Sequence, residues 1–209
     1  MEESFALNEL DLKLRKVITF DEGFFVEAGA NDGVAQSNTL YFERYAGWRG
    51  LLIEPIPALA AHCKINRPAC AVENCALIPF GYVSDTIDMH YCNLMSLVKG
   101  ARGSEEADQA HIKAGLDVQP GVGSYQLTVP ARPLSEVLVK HRIDQIDLLS
   151  LDVEGYELEV LHGLDLARHR PRYNVIETAR VDKIDAHLLP LYRRLDMLSC
   201  HDYLYGRDA

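Results

Sequence analysis

Nearly half of the 209 residues are apolar, enough for one globular domain with a substantial core. The 21 basic and 31 acidic side chains leave a net charge of −10, which argues against broad attraction to nucleic acid or anionic lipid. Five cysteines without a C-x-x-C pair suggest neither a zinc ribbon nor a complete disulfide framework, and no apolar run approaches the ~20 residues of a membrane span.

The first residues, Met1 to Phe5, are acidic and lack the regions of a signal peptide, so a cytoplasmic protein with reduced thiols is expected. Phe5, Leu7, Leu10, Leu14, Val17 and Ile18 recur at helical spacing and predict a helix over residues 4–20, covering the sheet or an acceptor cleft. After a break at Asp21-Glu22-Gly23 comes the stretch around which the chain is organised, Phe24 to Thr39. Phe24, Phe25 and Val26 read as a buried strand, Gly29 and Gly33 as a tight loop, and Ser37-Asn38-Thr39 as the capped start of a helix carrying Tyr41, Tyr45 and Trp48.

The loop reads Glu27-Ala28-Gly29-Ala30-Asn31-Asp32-Gly33. It lacks the G-x-G-x-x-G that admits a pyrophosphate, and its acids would repel one, which disfavours an NAD-binding oxidoreductase. Glu27 suits a cation instead, and an E-x-G-x-x-x-G loop after a first strand looks like motif I of the class I methyltransferases, whose cofactor S-adenosylmethionine carries an ammonium and a sulfonium and no phosphate.

Gly50 to Ile53 is a second buried-strand run closed by Glu54, about twenty residues past the loop, from where a carboxylate accepts hydrogen bonds from ribose hydroxyls. A helix is expected from Ile56 to Asn66 and a third strand from Cys70 to Ile78. Between Phe80 and Val129 only Thr86 to Cys92 alternates like a strand, while Gly100 to Gly123 is rich in glycine and charge and reads as a mobile acceptor lid with little core. A helix opened by Pro133, a central strand Ile146–Leu151, the turn Asp152-Val153-Glu154-Gly155, a helix from Tyr156 to His162 and a fifth strand Tyr173–Glu177 follow. Arg168, His169, Arg170 and Arg172 read as a solvated surface. Residues 182–195 read as a helix broken at Pro190 and residues 197–205 as an antiparallel edge. Strands alternating with helices predict an α/β, mostly parallel, doubly wound sheet with helices on both faces. No repeat or second domain is visible, so residues 1–209 are read as a single domain, with an N-terminal helical segment at 1–22 and a variable region at 80–130.

DGVAQSNT, WRGLLIEP and SLDVEGYELEVLHG occur in that order, and together they resemble the FkbM family of S-adenosylmethionine-dependent methyltransferases over residues 24–178. The resemblance implies a class I methyltransferase (Rossmann-like) fold and O-methylation of a sugar, glycan or natural-product-like small molecule. It implies that the third-strand region lines the adenine, with Asn74 and Cys75 as candidates. Expected cofactor contacts are thus Glu27, Gly29, Asn31, Gly33, Ser37, Glu54, Asn74, Cys75 and Asp152. Many members carry lysine where this chain has Ser150.

Glu27, Glu54, Asp152 and Glu177 each end a predicted strand, and in a parallel sheet these ends share the ligand-binding edge. Asp152, then Glu154, are the expected base or orienting group for the acceptor hydroxyl, with Glu177 beside them; His90 and His111 are further candidates, more often surface residues. Glu154 also suits the start of the following helix through its dipole. Magnesium at Asp152 and Glu177 ranks below metal-free catalysis. No P-loop, H-E-x-x-H or G-x-S-x-G competes. The alternative from another class is a non-catalytic S-adenosylmethionine-binding or protein-interaction module.

Overall fold

The computed structural model describes residues 3–207. Residues 1, 2, 208 and 209, which the single-domain expectation includes, lie outside the described residues. Five apolar runs pair as parallel strands: β1 (Phe24–Ala28), β2 (Arg49–Ile53), β3 (Ala71–Glu73), β8 (Leu148–Leu151) and β9 (Tyr173–Glu177). With β10 (Tyr192–Met197) and β11 (Asp202–Arg207), they form a seven-stranded sheet of order β10-β11-β9-β8-β1-β2-β3. Strand order reverses at β1, between β2 and β8, and the carboxyl ends of these strands form the crevice where a doubly wound sheet binds ligands.

Side chains alternate across a strand, so each parallel strand feeds two cores. Val26, Leu51, Leu149 and Ile176 pack under α5 (Leu134–Lys140), α6 (Glu157–Leu161) and α7 (Val181–Leu188). Phe25, Leu52, Leu148 and Val175 pack under α1 (Leu10–Val17), α2 (Leu40–Ala46) and α3 (Pro57–Asn66). The expected α/β architecture, with helices on both faces, is therefore present.

Four local expectations are corrected. The N-terminal helix begins at Leu10, because Asn8 and Glu9 adopt left-handed conformations, φ 54° and 56°; α1 covers the sheet, while Leu7 reaches the cleft. The Cys70–Ile78 run is two strands in different sheets, β3 and β4 (Ala76–Leu77), separated where the Asn74 amide donates to the Glu54 and Pro55 carbonyls at 2.8 and 2.9 Å. The 80–130 region has regular secondary structure and a core of its own. β4 joins β5 (Thr86–Tyr91), β6 (Leu97–Val98) and β7 (Tyr125–Arg132) in a second sheet of order β4-β7-β5-β6. That sheet shares a third core with α4 (Glu105–Val118), capped by Ser104, whose hydroxyl accepts the Ala107 N–H at 3.2 Å. Finally, α7 stops at Leu188, and β10, not the 197–205 run, is the edge, since β11 lies between β9 and β10.

Candidate functional site

Beyond β1 the backbone turns against β2, where Gly29 and Ala30 donate to the Ile53 carbonyl at 3.0 and 3.2 Å. Gly29, Asn31 and Gly33 all take positive φ, 86°, 50° and 84°. The turn is held at its crest by Glu54, whose carboxylate accepts the Asn31 N–H and the Ile56 N–H, each at 2.8 Å. Burial nevertheless dominates, and against these two hydrogen bonds it pushes Glu54 up to about 8.

A cavity of about 540 Å³ opens at this edge, within the range of small-molecule sites. Gly29, Asn31, Ile53, Glu54 and Cys75 line it together with Asp152, Glu154, Glu177 and His201. Ala76, Leu77, Met89, Val98 and Val160 supply apolar wall, and the 93–119 segment contributes Asn93, Met95, Arg102, His111 and Gln119.

Oxygens of Asp152, Glu154 and Glu177 lie within 4.8 Å of one another. Burial, followed by the charges of Glu177, Glu154, Glu157 and Asp202, raises Asp152 well above the ordinary carboxylate range. Burial first, then Glu154 and Asp202, pushes Glu177 up to about 7, with His201 opposing. His201 reaches this cluster because the antiparallel pairing of β11 sets Asp202 opposite Glu177, and its Nε2 lies 3.8 Å from Glu177.

Of the expected contacts, Gly29, Asn31, Glu54, Cys75, Asp152, Glu154 and Glu177 meet around one cavity, and Cys75 is a buried thiol pushed up to about 12 chiefly by desolvation. Glu27, Gly33, Ser37 and Asn74 stand behind its wall. Glu27 turns away under α2, accepting the Ser37 and Thr39 hydroxyls at 2.9 and 2.6 Å and the Asn38 N–H at 2.9 Å. Ser37 also receives the Leu40 N–H, and Gly33 offers its carbonyl to Arg67. Ser150 is likewise structural, its hydroxyl taking the Asn38 amide at 3.1 Å. His90 is buried in the second sheet and does not line the cavity, whereas His111 does. Arg102 and Asn93 carried no sequence signal, being an isolated arginine and asparagine in irregular stretches. His201 was concealed because only the sheet pairing brings it beside Glu177.

A family model described as "Methyltransferase FkbM domain" matches residues 27–203. Methyltransferase sdnD of Sordaria araneosa is 32% identical over 163 residues, 68% of this chain and 60% of that protein. The crystal structure of methyltransferase FkbM from Methylobacillus flagellatus superposes with a TM-score of 0.50 at 17% identity, covering 89% of this chain and 44% of that one, a likeness of fold. The chain thus spans 60% and 44% of the lengths of these two relatives.

Proposed function

The chain belongs to the FkbM methyltransferase family, and we propose that it methylates a hydroxyl oxygen of a sugar, glycan or natural-product-like small molecule using S-adenosylmethionine. The observation that carries this reading is one cavity lined both by a buried carboxyl, Glu54, and by a trio of mutually close carboxyls, Asp152, Glu154 and Glu177. The donor set fits the cofactor. A carboxylate has about four lone-pair positions; Glu54 uses two on backbone N–H groups, which leaves room for a ribose diol. Ile53, Ala76 and Leu77 offer the apolar surface an adenine ring needs. Gly29, Asn31, Cys75 and Asp152 complete the wall, and Glu27, Gly33, Ser37 and Asn74 act by holding the loops that carry it.

When bound, S-adenosylmethionine supplies an electrophilic methyl on a sulfonium. The protein holds the acceptor hydroxyl in line with it and removes a proton from that hydroxyl, tasks assigned to Asp152, Glu154 and Glu177. No helix among the described residues is long and apolar enough to cross a membrane, which agrees with a small-molecule acceptor met in water. The trio is read without a metal, because Arg102 already places a cation on Glu154 at 2.9 Å. Calorimetric titration with magnesium chloride checks this: no binding heat is expected, and saturable heat lost in Asp152→Asn would assign the trio to the ion.

The test of the cofactor end is pH dependence. Glu54, pushed up to about 8, holds a proton below that pH, and a ribose diol selects the acceptor-only carboxylate. Binding therefore expels a proton, so S-adenosylhomocysteine affinity rises with pH, approaching about tenfold per unit below about pH 8 and levelling above it. In Glu54→Gln the slope due to this group disappears, and affinity above pH 8 falls about tenfold to a hundredfold. Calorimetry across that range is the measurement. Unchanged affinity and slope in Glu54→Gln would remove Glu54 from the ribose, and no binding at any pH by folded wild-type protein would favour a different ligand altogether.

A further inference from the structure

Glu154 and Gly155 both adopt left-handed backbone conformations, φ 57° and 103°, in the turn after β8 from which Glu154 lines the cavity. For Glu154 this is strained, about 1–2 kcal/mol above a right-handed conformation. The turn is held from both sides: Glu157 accepts the Gly155 N–H at 2.6 Å, and Arg180 donates to the Gly155 carbonyl. The missing side chain at Gly155 also leaves space for Arg102, whose Cδ would stand 3.2 Å from a Cβ placed there.

Arg102 Nη2 donates to Glu154 Oε2 at 2.9 Å and lies 3.0 Å from His111 Nδ1. A guanidinium only donates, so Nδ1 accepts and the ring proton sits on Nε2. That nitrogen stands 3.2 Å from the same Oε2, close to it but without hydrogen-bond geometry. Both side chains approach this one oxygen, Arg102 by a hydrogen bond and His111 by proximity, and Oε1 makes no hydrogen bond among the described residues. Arg102 is itself placed by Asp108, a wholly buried acid of α4 that accepts the Gly100 and Arg102 N–H groups at 2.5 and 3.1 Å. Asp152, in contrast, makes no side-chain hydrogen bond among the described residues, and burial followed by the charges of neighbouring acids favours its protonated form.

We propose that Glu154 Oε1 is the proton acceptor for the methyl-accepting hydroxyl, that Arg102 is the positioning residue that holds Glu154 through Oε2, and that His111 braces Arg102. This rests on the methyl-transfer reading above. The hydroxyl proton passes to Oε1, the oxygen's electron pair forms the bond to the methyl carbon, and the carbon–sulfur pair leaves with sulfur. Asp152 keeps its proton and donates a hydrogen bond to the acceptor.

The experiment combines ring ¹⁵N NMR of His111 with S-adenosylhomocysteine calorimetry on the full chain. In wild-type protein His111 shows the Nε2–H tautomer; Arg102→Met turns this into a mixture, and Arg102→Lys restores part of it. S-adenosylhomocysteine affinity stays within about twofold in Arg102→Met and Glu154→Gln, because the proposal gives both a role toward the acceptor hydroxyl and none toward the cofactor. With any hydroxyl acceptor from a monosaccharide and polyol panel, Glu154→Gln lowers kcat by about a hundredfold or more, and Asp152→Asn by less. An Nδ1–H tautomer in wild-type protein, or affinity lost in Arg102→Met, overturns the proposal while leaving the methyltransferase reading intact. Failure of folded wild-type protein to bind S-adenosylhomocysteine overturns that reading first.

Discussion

Replacing Arg67 with methionine is expected to destabilise the protein by about 3–5 kcal/mol, the usual consequence of removing one partner from a buried ion pair. Arg67 is fully buried beneath the glycine loop. Its guanidinium lies over the Phe25 ring, 5.4 Å from the centroid, and donates to the Gly33 carbonyl at 2.9 Å, the Ser37 hydroxyl at 3.2 Å and the Thr39 hydroxyl at 3.3 Å. It also pairs with Glu43 and stands 3.8 Å from Glu27. Methionine fills much of the same volume, so the loss is electrostatic: two carboxylates are left in a low-dielectric setting without a cation. A domain of this size loses about 2–4 °C per kcal/mol, so the melting temperature should fall by roughly 6–20 °C. Adding Glu43→Met removes one stranded charge and should recover part of the loss, which a double-mutant cycle measures. A melting temperature within 2 °C of wild type, a margin of about 1 kcal/mol or less, would show that the cluster contributes nothing net.

Gly29→Ala is expected to abolish S-adenosylhomocysteine binding. A Cβ at this position would fall 1.8 Å from the Asp152 carbonyl oxygen, and the residue sits at φ 86°. The obstacle is backbone at the carboxyl end of β8, and it cannot swing away as a side chain would. Asp152 is tied to β1 through its N–H on the Ala28 carbonyl at 3.1 Å, and Gly29 to β2 through its own N–H. Relief requires the two strand ends to part, which moves the loop and the Asp152 turn together. The left-handed conformation and the overlap add about 2–5 kcal/mol between them, and affinity should fall by at least about thirtyfold. Gly121→Ala is the control: φ there is 87°, but nothing lies within 4 Å of an added Cβ. Its affinity should match wild type. Near-normal affinity in Gly29→Ala would show that the loop does not need this close approach.

Both substitutions act on residues whose importance differs in how far it can be read locally. Gly29 is visible in the sequence, because a glycine after an apolar strand announces a backbone that must come close to something. Arg67 is not, because nothing in Lys64-Ile65-Asn66-Arg67-Pro68 distinguishes it from a surface cation at a helix end. Its partners Glu27, Gly33, Ser37 and Thr39 lie about thirty to forty residues away, and only the packing of α3 against β1 brings them together.

The amino-acid sequence by itself determined the parallel strands and the acids that end them. Runs such as Phe24-Phe25-Val26 and Leu148-Leu149-Ser150-Leu151 have almost no polar face, and only a strand covered on both sides satisfies them. Tertiary structure decided which of those acids meet a ligand. Glu27 lies within β1, two residues after Phe25, so alternation sends it to the same face, under α2 and beside Arg67. Glu54 and Asp152 lie just beyond their strands and are free to face the crevice. The 80–130 region was hidden for a related reason. β4 is only two residues long, β7 is mostly exposed and carries Pro130, both pair across gaps of tens of residues, and α4 buries little beyond Asp108, Ile112 and Gly115, so neither β7 nor α4 leaves a strong periodic apolar pattern. Its capping signal, Ser104 followed by Glu105 and Glu106, was present but stood among glycines. Contacts between distant segments supply what local pattern lacks there, and they set Arg102 and His111 against Glu154.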